Sequence, residues 1–408
     1  MNLHTLYLAW RYLRFHRAKS AILVACLTST FLLPMTVHLL VSHYDETLHE
    51  RAATTPLLIG ARGNRFDLVL KSLYFATEYS DQVNMSDVET IRERGYGTPI
   101  PLHLRYTAHG HRYGQSLNTS HTSGVPLVGT TLEYFEHRGL EIAFGTRPLI
   151  LGDAVLGSRA AERLGVGVGH SVVSDPDGFY DVARSFQLRM NVVGILEPTD
   201  SPDDNAVFVD VKTTWLVDGI GHGHENLEKT EDPAVVDPDR SDGDNIVATP
   251  RLSRFREITT ENLDSFHFHG EPEGYPLTSV LLYPSDERGH VQAVGRFGAR
   301  DDRQIVVPRS IVEELMGIVF RIKRFFDANF ALVTMTTALF IALVVMLSLR
   351  LRKREMETLR RIGCARGTAF WLQAWEIGIV AGVSFVVATL LAMTAMVVVP
   401  EWSRFFQA

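Results

Sequence analysis

Apolar residues occur in two patterns along this chain. Three long unbroken runs lie near its ends, and between them hydrophobic residues come in short bursts separated by turn formers. Ala21–Val41 reads AILVACLTSTFLLPMTVHLLV, Asn329–Leu349 has 21 residues without a charge, and Ile377–Val399 has 23 more. About 20 apolar residues cross the hydrocarbon core as a helix, so each run predicts a membrane span. The spans are assigned to residues 21–43 (with an outward extension), 326–350 and 369–399.

The flanks carry a different period. In residues 1–20, Leu3, Leu6, Trp10 and Leu13 share a helical face, while Arg11, Arg14, Arg17 and Lys19 lie off it, as in an interfacial amphipathic helix. The first apolar run is too long for a signal-peptide core, and no A-x-A-like site follows it, so it reads as a retained anchor. His43–Ala53 has no helix breaker, and Ser310–Asp327 sets Ile311, Leu315, Ile318, Val319 and Ile322 on one face. Both predict helical stalks that prolong their spans by roughly 15–25 Å at about 1.5 Å per residue.

Residues 44–325, stalks included, form the middle. Ala154–Val168 reads as a helix with Leu156, Ala160, Ala161 and Leu164 on one face, leaving through Gly165-Val-Gly-Val-Gly169. Phe186–Leu196 and Ala206–Asp210 read as strands, and the polar stretch His222–Asp244 as an exposed or mobile loop. The expected fold class is an α-helical membrane protein of about three transmembrane helices with a large extracytoplasmic α+β domain.

Charge sets the expected topology. Seven Lys/Arg against two Glu in Arg350–Arg366 put the connection 351–368 in the cytoplasm, and the N-terminal cations do the same for the first twenty residues. The middle domain then lies outside, and Pro400–Ala408 becomes a short outer tail whose Trp402, Phe405 and Phe406 suit an interfacial belt. The net charge of -7 is concentrated in the middle, notably Glu225–Asp244. Basic clusters beside spans, instead of on an aqueous domain, argue against nucleic acid as a partner. Cys26 and Cys364 fall in a span and in the connection, so the outer domain has no disulfide.

Chemistry is sparse. The chain has no G-x-x-x-x-G-K-[ST], no H-E-x-x-H and no G-x-S-x-G, so neither a nucleotide cradle nor an enzyme centre is expected. Within the connection, Met356, Leu359 and Ile362 form an apolar helical face, and Gly363 offers an exit. A short helix of this kind can dock in a groove of another protein.

The run Arg354-Glu-Met-Glu-Thr-Leu-Arg-Arg-Ile-Gly-Cys-Ala-Arg366, followed by a helix with Gln373 and Glu376, resembles the cytoplasmic segment of FtsX/MacB-type ABC transporter permeases. That pattern is R-x-R-E-[IM]-x-x-L-[RK]-x-[IL]-G-[AC]-[ST]-x, then E-[AI] at the membrane entry. Arg352, Arg354, Glu355, Leu359, Ile362, Gly363 and Glu376-Ile377 fit it, while Ala365 replaces the usual hydroxyl residue. Asn191–Leu196, Asp204–Val209 and Leu156–Gly167 resemble parts of the MacB-like periplasmic domain.

The resemblance implies a permease subunit in a bacterial inner membrane that moves with a separate ABC ATPase. It implies a second permease chain and surrounding lipid as partners, and leaves room for a periplasmic accessory protein. No cofactor is expected in this chain, since ATP would sit on the partner. Arg354, Glu355, Met356, Leu359, Arg360, Ile362 and Gly363 become the ATPase-coupling residues, with Gln373 and Glu376 as polar membrane-entry residues. Lipoprotein extraction, efflux and activation of cell-wall hydrolases are the work such permeases do. The family normally has four spans, against three found here, which reads as a truncation or a three-span variant.

Histidine gives the alternative. His109/His111, His222/His224 and His267/His269 are H-x-H pairs, and residues i and i+2 of a strand face one side. Solvated histidines are the plainer reading. A fainter likeness to permeases of zinc-regulated systems keeps zinc in view. On that reading the chain is a membrane-anchored metal-binding or sensor scaffold without ATP-driven motion.

Overall fold

The computed structural model describes residues 3–76, 81–111, 124–148, 150–175, 187–223, 257–259, 261–351, 358, 361 and 367–405. It divides into two compact units, Thr47–Glu314 and a second one made of Met1–Glu46 with Leu315–Ala408.

In the second unit, three helices among the described residues are long and apolar enough to cross a membrane: within Arg17–Ala53, Pro308–Arg350 and Phe370–Met396. Few of their hydrophobic side chains are buried in the protein, as expected where lipid is the solvent. Small and hydroxylic residues make the contacts between them. Ser384 Oγ donates to the Val24 carbonyl at 3.2 Å, Thr30 and Thr337 hydroxyls meet at 3.4 Å, and Ala388 and Ala392 are fully buried. Lipid tails are as apolar as leucine, so close backbone approach and hydrogen bonds supply the attraction that burial supplies in water.

The amphipathic helix forms as Leu3–Phe15, but its contacts differ from those expected. It packs along the helix Thr368–Phe405, with Thr5 and Ala9 buried and Leu6 and Leu13 half-buried. Trp10 remains exposed, so only part of the apolar face is left for lipid. The last helix also runs through Pro400 to Phe405, where the sequence predicts a separate tail.

In the aqueous unit the strands, in chain order, are β1 (Leu57–Ala61), β2 (Val83–Asn84), β3 (Gly97–Leu102), β4 (Thr107–His111) and β5 (Val125–Thr130). There follow β6 (Ile142–Gly145), β7 (Asp153–Leu156), β8 (Ser171–Ser174), β9 (Arg189–Leu196) and β10 (Val207–Asp210). The remainder are β11 (Gly221–Gly223), β12 (Phe266–Phe268), β13 (Pro276–Leu277), β14 (Ser279–Pro284) and β15 (Arg303–Val306).

One sheet is antiparallel in the order β15-β1-β14-β3. Every residue of β1 is buried, which is why Leu57-Leu-Ile-Gly-Ala61 is a continuous apolar run without alternation. A larger sheet has the order β6-β9-β7-β10-β5-β4-β8, and β8 pairs again with β9. That last ladder closes six strands into a barrel, with β6 as a flap on β9. Along β9, Met190, Val192, Gly194 and Leu196 are buried in strict alternation. Met190 and Val192 join Val125, Leu127, Leu156, Val172, Val207 and Val209 in one core cluster.

The α+β expectation and the strands at Phe186–Leu196 and Ala206–Asp210 agree with β9 and β10. Ala154–Val168 needs correction: Asp153–Leu156 is strand β7, between β9 and β10, and the helix is Ser158–Leu164. Gly165 ends that helix at φ 64, the left-handed conformation in which glycine costs least. His222 and Gly223 belong to β11 instead of a loop, and the rest of His222–Asp244 lies outside the described residues.

Candidate functional site

The coupling residues Arg354, Glu355, Met356, Leu359, Arg360, Ile362 and Gly363 lie outside the described residues. Among the described residues, one helix ends at Leu351 and another begins at Thr368.

The two membrane-entry residues come together. Gln373 and Glu376, one turn apart on Thr368–Phe405, line a cavity of about 40 Å³ with Tyr12, His16, Lys19 and Ser20. That is room for a water molecule. Glu376 is buried, and Gln373 Oε1 is a buried acceptor without a hydrogen bond among the described residues. Lys19 Nζ donates to Ser348 Oγ at 3.2 Å. Polar groups inside a membrane bundle tend to cluster, and these line one cavity.

A second polar site is in the aqueous unit. Arg51 is in the last turn of the helix Arg17–Ala53 and only 6 % exposed. Its Nη2 donates to Asp203 Oδ1 and to the Tyr134 hydroxyl, both at 2.8 Å, and its Nε to the Leu73 carbonyl at 2.9 Å. Arg51 Nη1 donates to Asp203 Oδ2, completing a bidentate pair, and the Tyr134 hydroxyl donates to Asp203 Oδ1 at 2.7 Å. The cation also lies at the negative end of its own helix.

Burial raises the Asp203 carboxyl, but the Arg51 charge and the hydrogen bonds from Arg51 and Tyr134 outweigh it and hold the pKa below the usual range. Burial likewise pushes the Tyr134 phenol up. A carboxylate with a depressed folded pKa stabilises above its unfolded value, about 3.9, and loses that contribution as pH falls through the folded value. Acid unfolding of the purified chain, followed by circular dichroism, should therefore steepen below the ordinary carboxylate range. Asp203→Asn should flatten that limb and lower stability at neutral pH. An unchanged acid limb in the variant would remove Asp203 from this account.

The histidines separate into two groups. His109 Nε2 is engaged by Asp175 Oδ2, which also accepts from Thr107 Oγ1 at 2.6 Å. Only the backbone of His111 is described, and His224 lies outside the described residues. His222, His267 and His269 converge, so the grouping joins members of two different H-x-H pairs. The H-x-H spacing marks these histidines in the sequence, but nothing local joins His222 to His267 and His269, and nothing local marks the Arg51 network. Arg51 and Asp203 are 152 positions apart.

Residues 329–407 match the family model of the FtsX-like permease C-terminal domain. The chain is also similar to the periplasmic region of MacB from Actinobacillus actinomycetemcomitans, at 13 % identity and a TM-score of 0.36, covering 66 % of this chain and 97 % of that one. The extracellular domain of the noncanonic ABC-type transporter YknZ from Gram-positive bacteria aligns at 8 % identity and a TM-score of 0.34, over 61 % and 98 %. A permease-protein domain from Porphyromonas gingivalis aligns at 13 % identity and a TM-score of 0.30, over 64 % and 91 %. No curated protein matches the chain. The family match falls on two helices able to cross a membrane, so this C-terminal part of the chain is similar to the C-terminal domain of FtsX-like permeases.

Proposed function

We propose that the chain transmits ATP-driven motion from a separate cytoplasmic ATPase to its own periplasmic domain. In this reading the N-terminus and Arg350–Arg366 are cytoplasmic, the spans cross the inner membrane, and two such chains pair with two ATPase subunits. Closure of the ATPases pushes the connection and tilts the spans. The periplasmic domain then exports or handles a substrate of the lipoprotein kind.

One observation carries the proposal: the membrane-crossing segments are continuous with their stalks. Arg17–Ala53 and Pro308–Leu351 are single helices of 37 and 44 residues. At 1.5 Å per residue they are about 55 and 65 Å long, against a hydrocarbon core of about 30 Å. The excess is a lever that no plain anchor needs. The seven-to-two excess of basic residues in Arg350–Arg366 supports the cytoplasmic placement.

The test is co-purification from detergent of the tagged chain, with ATP hydrolysis assayed in the eluate. Wild type should bring down an ATPase, and Leu359→Asp, which puts a charge on the apolar face of the connection, should lose it. No ATPase with either chain would overturn the proposal in favour of a static membrane-anchored scaffold.

A further inference from the structure

Strands β11 and β12 bring three imidazoles onto one face of a two-stranded ribbon. His222 lies directly across the antiparallel ladder from His267. His269 is two residues beyond His267 and so shares its side. Its backbone N–H donates to the Ile220 carbonyl at 2.9 Å, which carries the pairing one residue past the end of β12. The three ring centroids are 4.7 to 4.9 Å apart. A nitrogen from each ring lies within 4.8 Å of the other two.

The backbone beneath them is closely set. A Cβ on Gly221 would be 2.8 Å from the His267 carbonyl oxygen, and one on Gly223 would be 2.7 Å from the Phe266 ring. The two glycines that flank His222 thus let the strands approach, and the ladder fixes where the rings start. His267 Nδ1 lies 3.1 Å from the Ser265 carbonyl oxygen, a contact in which a neutral ring donates Nδ1–H. That tautomer makes Nε2 the lone-pair nitrogen, the arrangement by which metal-binding histidines are oriented.

We propose that His222, His267 and His269 form a binding site for a zinc-class divalent ion. Three neutral imidazole nitrogens suit Zn²⁺, which takes nitrogen ligands at about 2.0–2.1 Å in tetrahedral geometry. Such a geometry separates the nitrogens by about 3.4 Å, so small side-chain rotations on the fixed ladder close the set. Calcium and magnesium are disfavoured, because both prefer oxygen ligands. Three protein ligands leave the fourth position to water or to a donor from a bound molecule. The exposure of His267 and His269 gives such a donor access. The inference is independent of any ATPase.

The test uses the full chain in detergent, stripped with a chelator and titrated with Co²⁺. Wild type should give the intense visible absorption of four-coordinate cobalt, saturating at a single equivalent and displaced by Zn²⁺. His222→Gln, and His267→Gln with His269→Gln, should each weaken binding at least about tenfold. His109→Gln should not. Zn²⁺ should raise the thermal midpoint of wild type and of His109→Gln, but not of the ligand variants. Equal metal-free midpoints and circular dichroism would verify that all variants fold. A wild-type chain without the four-coordinate spectrum, or a His222→Gln variant that binds as tightly as wild type, would overturn the site.

Discussion

Arg51→Met should destabilise the aqueous unit by about 3–5 kcal/mol, because it leaves a buried carboxylate without its cation. Asp203 is 1 % exposed and Tyr134 is fully buried, so water cannot readily replace the guanidinium. The loss measures the charge left behind more than the worth of the pair, since taking both charges out of water offsets much of their attraction. The distinction can be measured. Replacing Arg51, Tyr134 and Asp203 together by Met, Phe and Leu removes both charges and the hydroxyl between them, and should recover most of the loss. Hydrogen exchange on the full chain, read at peptides of β10 and of the helix Leu132–Arg138 that carries Tyr134, reports the stability of this unit apart from the membrane helices. A triple variant as unstable as Arg51→Met would mean that the network supplies geometry that apolar packing cannot replace.

The spans and the stalks are legible in the sequence through their hydrophobic period, and two of the barrel strands through their composition. Twenty uncharged residues have few alternatives to a membrane helix. Arg189–Leu196 reads as a strand from its β-branched Val192, Val193 and Ile195, while its alternation of buried positions is visible only in the fold. Asp153–Leu156 escapes this reading because Ala154, Val155 and Leu156 are all buried as β7, and a short apolar run of that kind has no period of its own. The H-x-H pairs are visible in the sequence, but not which of them meet. That depends on the register of Gly221–Gly223 with Phe266–Phe268, which only the folded chain sets. In the sequence Arg51 is one more stalk cation. Its role comes from Asp203 and Tyr134, which reach it through the tertiary fold alone.

Gly157→Ala should cost about 3 kcal/mol, at the upper end for overpacking, through the same network. Gly157 sits at φ -61 and ψ 153, a conformation open to any residue, so the cost is one of space. An added Cβ would be 2.2 Å from the Asp203 carbonyl oxygen and 2.5 Å from the Asp204 carbonyl carbon. Both are backbone atoms, and a rotamer change cannot move them. Gly157 is also tied to this turn by its N–H, which donates to the Ala206 carbonyl at 2.9 Å. Relief therefore requires the turn Pro202–Asn205 to withdraw, and Asp203 goes with it, away from Arg51 and Tyr134. If that is the route of the damage, Gly157→Ala should cost much less in the triple apolar background, where no ion pair remains to be broken. Sites that share a partner couple by about 0.5–3 kcal/mol, whereas independent ones add to within about 0.5 kcal/mol. Simple additivity in the hydrogen-exchange stabilities would mean that the turn yields without moving Asp203. Strong coupling would make the glycine a positioning residue for the grip on the end of Arg17–Ala53, the helix through which the proposed motion has to pass.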